Sequence, residues 1–114
     1  MKESELLHSL RLAIGQRPDV TIWRNQVGVA QYAGLRVPYG LTRGASDLIG
    51  IRTLTITPEM AGQLVGQFVA VEVKTTTGRL TTEQRLFLEL VEKRGGLSAC
   101  VRSLAEATQC FGHL

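Results

Sequence analysis

The apolar positions of the chain change period several times, and each change marks an element. Between residue 3 and about residue 15, Leu6, Leu7, Leu10, Ala13 and Ile14 recur at the spacing of one helical face, and Gly15 with Pro18 stops the run. An amphipathic helix is predicted there. Residues 20–25, V-T-I-W-R-N, have the β-branched and aromatic content of a strand. Residues 46–55, S-D-L-I-G-I-R-T-L-T, form a second strand with Asp47 on the side of Ile49 and Ile51. Pro58, Gly62 and Gly66 mark a wide turn. Residues 67–74, Q-F-V-A-V-E-V-K, then alternate as a third strand, with Val69, Val71 and Val73 on one side and Phe68, Ala70, Glu72 and Lys74 on the other. On this reading the strands bearing Asp47 and Glu72 are antiparallel neighbours.

After the polar stretch T-T-T-G-R-L, residues 81 to about 94 form a second helix. It is opened by a Thr81/Gln84 capping box and closed by Gly95-Gly96. Residues 97–102 give a short strand, and residues 103 to about 111 a last helix from a serine cap with Glu106 three residues on. Residues 26–44 show no clear period. With Gly28, Gly34, Gly40 and Gly44 they read as a long loop, and a loop of that length in a compact domain is more often functional than connective. The order α, β, loop, β, β, α, β, α predicts an α/β fold, a mixed β-sheet flanked by helices in the order αβββαβα.

A chain of 114 residues is expected to form one domain over residues 1–114. Its net charge of +3 fits an acidic polymer as partner without establishing one. The bias is local: residues 17–52 hold five arginines against two aspartates. The glycine-rich stretch, with Arg36 and Arg43 interleaved with Tyr32 and Tyr39, is either a solvated loop or a phosphate-contacting surface, since guanidinium suits phosphate oxygens and glycine admits a close backbone. Cys100 and Cys110 lack metal or disulfide-framework spacing and are expected reduced and buried. No apolar leader opens the chain and no run approaches membrane-spanning length, so a cytoplasmic, intracellular protein away from membranes is expected. His8 and His113 receive no role.

The chemistry concentrates at strand ends. Glu72 and Lys74 follow Phe68 and Ala70 on one strand face, where each buried charge costs several kcal/mol unless paired or liganded. A carboxylate, the Val73 carbonyl and an ammonium along one strand end suit a hard divalent ion and a phosphodiester. Asp47 likewise ends an apolar row, although a lone aspartate there is also an ordinary turn residue. Gln84 serves equally as cap partner or site residue. Glu3 lies on the buried stripe of the first helix and Glu5 on its flank, and either is also explained as complementing the helix dipole.

Asp47, then Glu72-Val73-Lys74, then an inward Gln84 resembles the PD-(D/E)xK nuclease superfamily, and more narrowly the VRR-NUC (virus-type replication-repair nuclease) domain family. W-R-N at 23–25, G-A-S-D-L-I-G at 44–50 and V-E-V-K-T-T-T-G-R-L-T-T-E-Q at 71–84 carry the resemblance. Ser46 stands where the superfamily usually has proline. The resemblance implies a restriction-endonuclease-like fold and a metal-dependent DNA endonuclease. Asp47 and Glu72 would ligate Mg²⁺ or Mn²⁺ with the Val73 carbonyl, and Glu3, with Glu5 as fallback, would be the first-helix acid. Lys74 would act on the attacking water and the phosphoryl charge, and Gln84 in the site. Arg24, Asn25, Arg36, Arg43 and Arg79 are candidate nucleic-acid contacts. Small stand-alone members of the family imply a homodimer cutting branched DNA such as four-way junctions, bacterial or phage-encoded, with no organic cofactor. The competing reading is a non-catalytic nucleic-acid-binding module that keeps the fold. It gives no reason to hold acids beside phosphates. A merely structural salt-bridged strand end leaves Asp47 without a reason.

Overall fold

The computed structural model describes residues 2–111 and divides into two compact units, the first ending at Arg52 and the second beginning at Thr53. His113 lies outside the described residues.

The first unit opens with helix α1 (Glu3–Gly15) and strand β1 (Val20–Arg24), which pack together with Leu7 and Ile14 half-buried. Glu5 is used locally: its Oε2 accepts the Lys2 backbone N–H at 3.2 Å, covering a donor that the helix leaves open. Past α1 the chain turns on an ion pair. Arg17 donates from Nε and Nη2 to the two oxygens of Asp19, each at 3.0 Å, and Arg52 Nε lies 3.6 Å from the same carboxylate. The hydrogen bond from Arg17 holds the Asp19 carboxyl below the usual carboxylate range.

Strand β1 pairs antiparallel with a later strand of the unit, β4 (Leu48–Arg52), from Val20 opposite Arg52 to Arg24 opposite Leu48. Gly50 faces Ile22 in this ladder. A Cβ there would come within 2.9 Å of the Ile22 Cδ1 and overlap the backbone of Thr21, so glycine is what lets the two strands close.

Residues 26–44 are not a loop. They contain a hairpin of β2 (Gly28–Tyr32) and β3 (Leu35–Tyr39), turned through Ala33 at φ 50° and Gly34 at φ 78°. Two successive positive φ values make the mirror-image turn whose twist matches that of paired strands. The element order therefore gains two strands over the expected one. Ala-Gly lacks the Asn-Gly or Asp-Gly signature of such turns, Pro38 removes a ladder donor, and the alternation is blurred by Ala30 and Gln31.

The second unit runs through a short 3-10 helix (Pro58–Met60), β5 (Val69–Val73), α2 (Thr82–Lys93), β6 (Leu97–Val101) and α3 (Leu104–Phe111). Strands β5 and β6 are parallel, Val69 opposite Leu97 through Val73 opposite Val101, with α2 as the crossover that parallel pairing requires. Helix α2 packs on both strands and buries Val91 completely. Gly95, at φ 97°, ends it. Gly96 then passes so close that a Cβ would lie 2.6 Å from Val91 Cγ1 and 2.8 Å from the Phe68 carbonyl. Helix α3 lies on β6, capped reciprocally: the Glu106 N–H donates to Ser103 Oγ at 3.2 Å and the Arg102 N–H to Glu106 Oε2 at 2.5 Å.

The mixed α/β class agrees with the sequence reading, whereas the expected antiparallel pairing of the Asp47 and Glu72 strands does not appear. Among the described residues β4 bonds β1 and β5 bonds β6, because a strand returning through a helix pairs in parallel. Cys100 and Cys110 are unbridged and half-buried, not buried. No described helix is long and apolar enough to cross a membrane.

Candidate active site

At the end of β5 the alternation turns Glu72 and Lys74 to the side of α2, and the helix start brings Gln84 to meet them. Thr81 Oγ1 accepts the Gln84 N–H at 3.1 Å while Gln84 Oε1 accepts the Thr81 N–H at 3.0 Å, which is a complete capping box. That use of its oxygen leaves the amide nitrogen of Gln84 pointing away from the cap. Nε2 donates to Glu72 Oε1 at 3.0 Å, and Lys74 Nζ stands 3.7 Å from the same oxygen. Cap and site are thus two ends of one side chain.

Both donors converge on one oxygen of Glu72, and among the described residues Oε2 takes no hydrogen bond. The pair is partly sheltered, with one-third of the Glu72 side chain and one-fifth of the Lys74 side chain exposed. The backbone of β5 adds a third oxygen. The Leu97 N–H donates to the Phe68 carbonyl at 2.8 Å and the Lys74 N–H to the Val101 carbonyl at 3.1 Å, which fixes the phase of the parallel ladder. Even-numbered residues of β5 bond β6, so the Val73 carbonyl points off that ladder.

The segment after Lys74 is pinned by a residue the motif reading did not single out. Arg102, at the end of β6, donates from Nη1 to the carbonyls of Thr75 and Gly78, the latter at 2.6 Å. Within the loop the Gly78 N–H donates to both the Thr75 carbonyl and Oγ1 at 3.2 Å. Arg102 therefore fixes the path from Lys74 to the cap of α2. A lone arginine closing a strand gives no local signal of this, since its partners lie 24 and 27 residues back along the chain.

In the first unit Asp47 stands just before β4, and its position is set through Asn25. The Asn25 N–H donates to the Asp47 carbonyl at 2.8 Å, the side-chain Nδ2 donates to the Ser46 carbonyl at 3.1 Å, and Oδ1 accepts the Leu41 N–H at 3.3 Å. One asparagine thus ties the exit of the hairpin to the entry of β4. The Asp47 carboxylate takes no hydrogen bond among the described residues and lines a cleft of about 820 Å³ beneath the hairpin, together with Arg36, Tyr39 and Arg43. Arg24 lines a smaller pocket with Ser4, Leu7, His8 and Arg11. Arg17, Arg52 and Arg85 have acid partners, whereas Arg24, Arg36, Arg43 and Arg79 form no ion pair among the described residues. Glu3 is exposed on α1.

Glu72 Oε2 and the Val73 carbonyl are oxygen donors without a committed partner among the described residues, of the type a hard divalent cation takes. The Asp47 carboxylate is a donor of the same type. Among the described residues no three His, Cys, Asp or Glu side chains are grouped to hold an ion.

The family model for the VRR-NUC domain matches residues 35–105. That span contains Asp47, Glu72, Lys74, Gln84 and Arg102, and omits Glu3, Arg24 and Asn25. No curated protein and no solved structure matches the chain. With most of its length covered and the acid, acid-x-lysine and glutamine positions inside the match, the chain belongs to the VRR-NUC domain family and has a function of nuclease type.

Proposed function

We propose that the chain is a Mg²⁺- or Mn²⁺-dependent endodeoxyribonuclease that hydrolyses phosphodiester bonds of branched DNA, four-way junctions included, as a homodimer. The observation that carries the catalytic part is the convergence of Lys74 Nζ and Gln84 Nε2 on one oxygen of Glu72, at 3.7 and 3.0 Å. That arrangement orients a carboxylate so that its other oxygen stays available, and it places a cation beside it.

In this reading Asp47, Glu72 and the Val73 carbonyl hold the ion, with Glu3 as the contribution of the first helix. When bound, the ion supplies Lewis-acid polarisation of the phosphoryl group and of the attacking water. The residues of the chain do the rest. As the ammonium beside Glu72, Lys74 orients the attacking water and stabilises charge developing on the phosphoryl oxygens. Gln84 fixes the rotamer of Glu72. Arg24, Arg36, Arg43 and Arg79, which have no acid partner among the described residues, contact phosphates, and Asn25 keeps its second amide N–H for the nucleic acid after its bond to Ser46.

The test is cleavage of linear, flapped and four-way-junction DNA with Mg²⁺ or Mn²⁺, at a fixed and stated salt concentration. Asp47→Ala and Glu72→Ala are expected to abolish cleavage while DNA binding persists. Variants that cut as well as the parent would overturn the assignment.

A further inference from the structure

The cleft beneath the hairpin contains more than a phosphate surface needs. Its walls combine two guanidiniums, Arg36 and Arg43, with apolar Val27 and Pro38 and the ring of Tyr39, and its one acid is Asp47. The charges favour an anion, whereas the apolar floor and the phenol ring favour a flat, weakly polar body. A nucleotide is both.

Tyr39 is built in as a platform. It stands opposite Gly28 across the hairpin ladder, and its phenol end lies over that glycine, so that a Cβ on residue 28 would sit 2.7 Å from the Tyr39 Cζ and nearer still to its hydroxyl. The end of the side chain therefore rests in the space left by the missing Cβ of Gly28. About half of the residue remains exposed, on the cleft side included. Gly40, at φ 86°, next turns the chain over Val27, where a Cβ would come within 2.8 Å of the Val27 Cα. Behind that turn the Leu41 N–H is tied to Asn25. The Tyr39 side chain thus fills the space beside Gly28, and the turn that follows it requires glycine at 40, where a Cβ would overlap the Gln26 carbonyl.

We propose that this cleft takes one unpaired nucleotide, its base stacked on Tyr39 and its flanking phosphates on Arg36 and Arg43, beside Asp47. A base inside a duplex has both faces covered by its neighbours and cannot lie on a protein ring, so the cleft selects strands unpaired at this point. The cleft volume is within the range, roughly 300–1,000 Å³, of sites that enclose ligands of nucleotide size. The inference rests on the nuclease reading for its substrate and predicts a preference for flaps, gaps and open junction centres over continuous duplex.

The experiment uses the full chain in EDTA, with a single-stranded oligonucleotide carrying 2-aminopurine and a blunt duplex of the same sequence, each also labelled with fluorescein for anisotropy. Stacking on tyrosine quenches 2-aminopurine. The parent is expected to quench the single strand. Tyr39→Ala is expected to lose the quench and roughly tenfold in single-strand affinity, about 1.4 kcal/mol, while duplex affinity changes less than about twofold. Tyr39→Phe is expected to restore both. Should Tyr39→Ala fail to fold, Tyr39→Leu keeps bulk over Gly28 without a π face and carries the same comparison. Equal losses on single strand and duplex, or an undiminished quench in the alanine or leucine variant, would overturn the proposal. Cleavage in Mg²⁺ is scored separately: quenching that depends on Tyr39 in a protein that cuts nothing would refute the nuclease reading and leave the nucleotide site, while cutting without quenching would do the reverse.

Discussion

Gln84 shows how one residue can hold two links of the chain of causation at once. Its oxygen completes the cap of α2 and its nitrogen orients Glu72, so truncation damages stability and chemistry together and cannot separate them. Gln84→Glu can. A carboxylate still accepts the Thr81 N–H, so the melting temperature should stay within a few degrees of the parent. The donor to Glu72 is gone, and a like charge now faces it. Cleavage should fall while thermal stability holds. A variant that cuts at the parental rate would show that the amide does not position Glu72. Lys74→Ala should lower turnover about a hundredfold with little change in DNA affinity, as expected for a cation that acts mainly on transition-state charge. Unchanged turnover under saturating DNA would remove Lys74 from the mechanism.

At the level of elements, what could be read from the sequence depended on whether the signal was local. Helices α1 and α2 and strands β1, β5 and β6 were legible because their caps, stops and alternation lie within a few residues of one another. The Thr81/Gln84 box and Gly95-Gly96 fixed both ends of α2. The hairpin was not legible, since Ala33-Gly34 and Pro38 send the wrong local message, and its stability comes from pairing and from Tyr39 over Gly28. The Glu72, Lys74 and Gln84 cluster was visible as a pattern, whereas Arg102 was not, because its partners are distant in the chain. Arg102→Lys tests that missed contact. Both bonds leave one nitrogen, Nη1, and the lysine ammonium ends one bond nearer the backbone, short of the point between the Thr75 and Gly78 carbonyls. Amide exchange at Gly78 should quicken, and turnover should drop severalfold at nearly constant KM, since Lys74 stays present but loosely placed. Exchange and turnover both at parental values would show that the loop holds itself. The Arg17–Asp19 pair makes a second prediction at this scale. The Asp19 carboxyl titrates below its unfolded value, so its contribution is full above the ordinary carboxylate range and fades as pH falls through the lowered value. The parent should melt above Asp19→Asn at neutral pH, and the gap should close in acid; a gap independent of pH would assign it to something other than this ion pair.

For the molecule as a whole the question is how many cuts one chain can make. Each chain carries one Glu72, one Lys74 and one Gln84 in contact, and resolving a four-way junction requires two cuts at positions related by a two-fold axis. Two copies related by the same symmetry would supply two such sites, which is the physical argument for the proposed homodimer. Mixing makes this measurable. Parent and Glu72→Ala chains, refolded together on a supercoiled plasmid with an extruded cruciform, should yield nicked circles at the expense of linear product, because a mixed dimer makes one cut of the pair. The nicked fraction should peak near equal proportions and vanish when either chain is absent. If cuts on the two strands were independent events of separate monomers, dilution by the inactive chain would slow both in parallel and the ratio of nicked to linear DNA would track parent concentration alone. Salt sets the condition for seeing the effect: each arginine that neutralises a phosphate steepens the fall of affinity with salt by about one logarithmic unit per unit, so the comparison belongs at low ionic strength, where the complex outlives the interval between the two cuts.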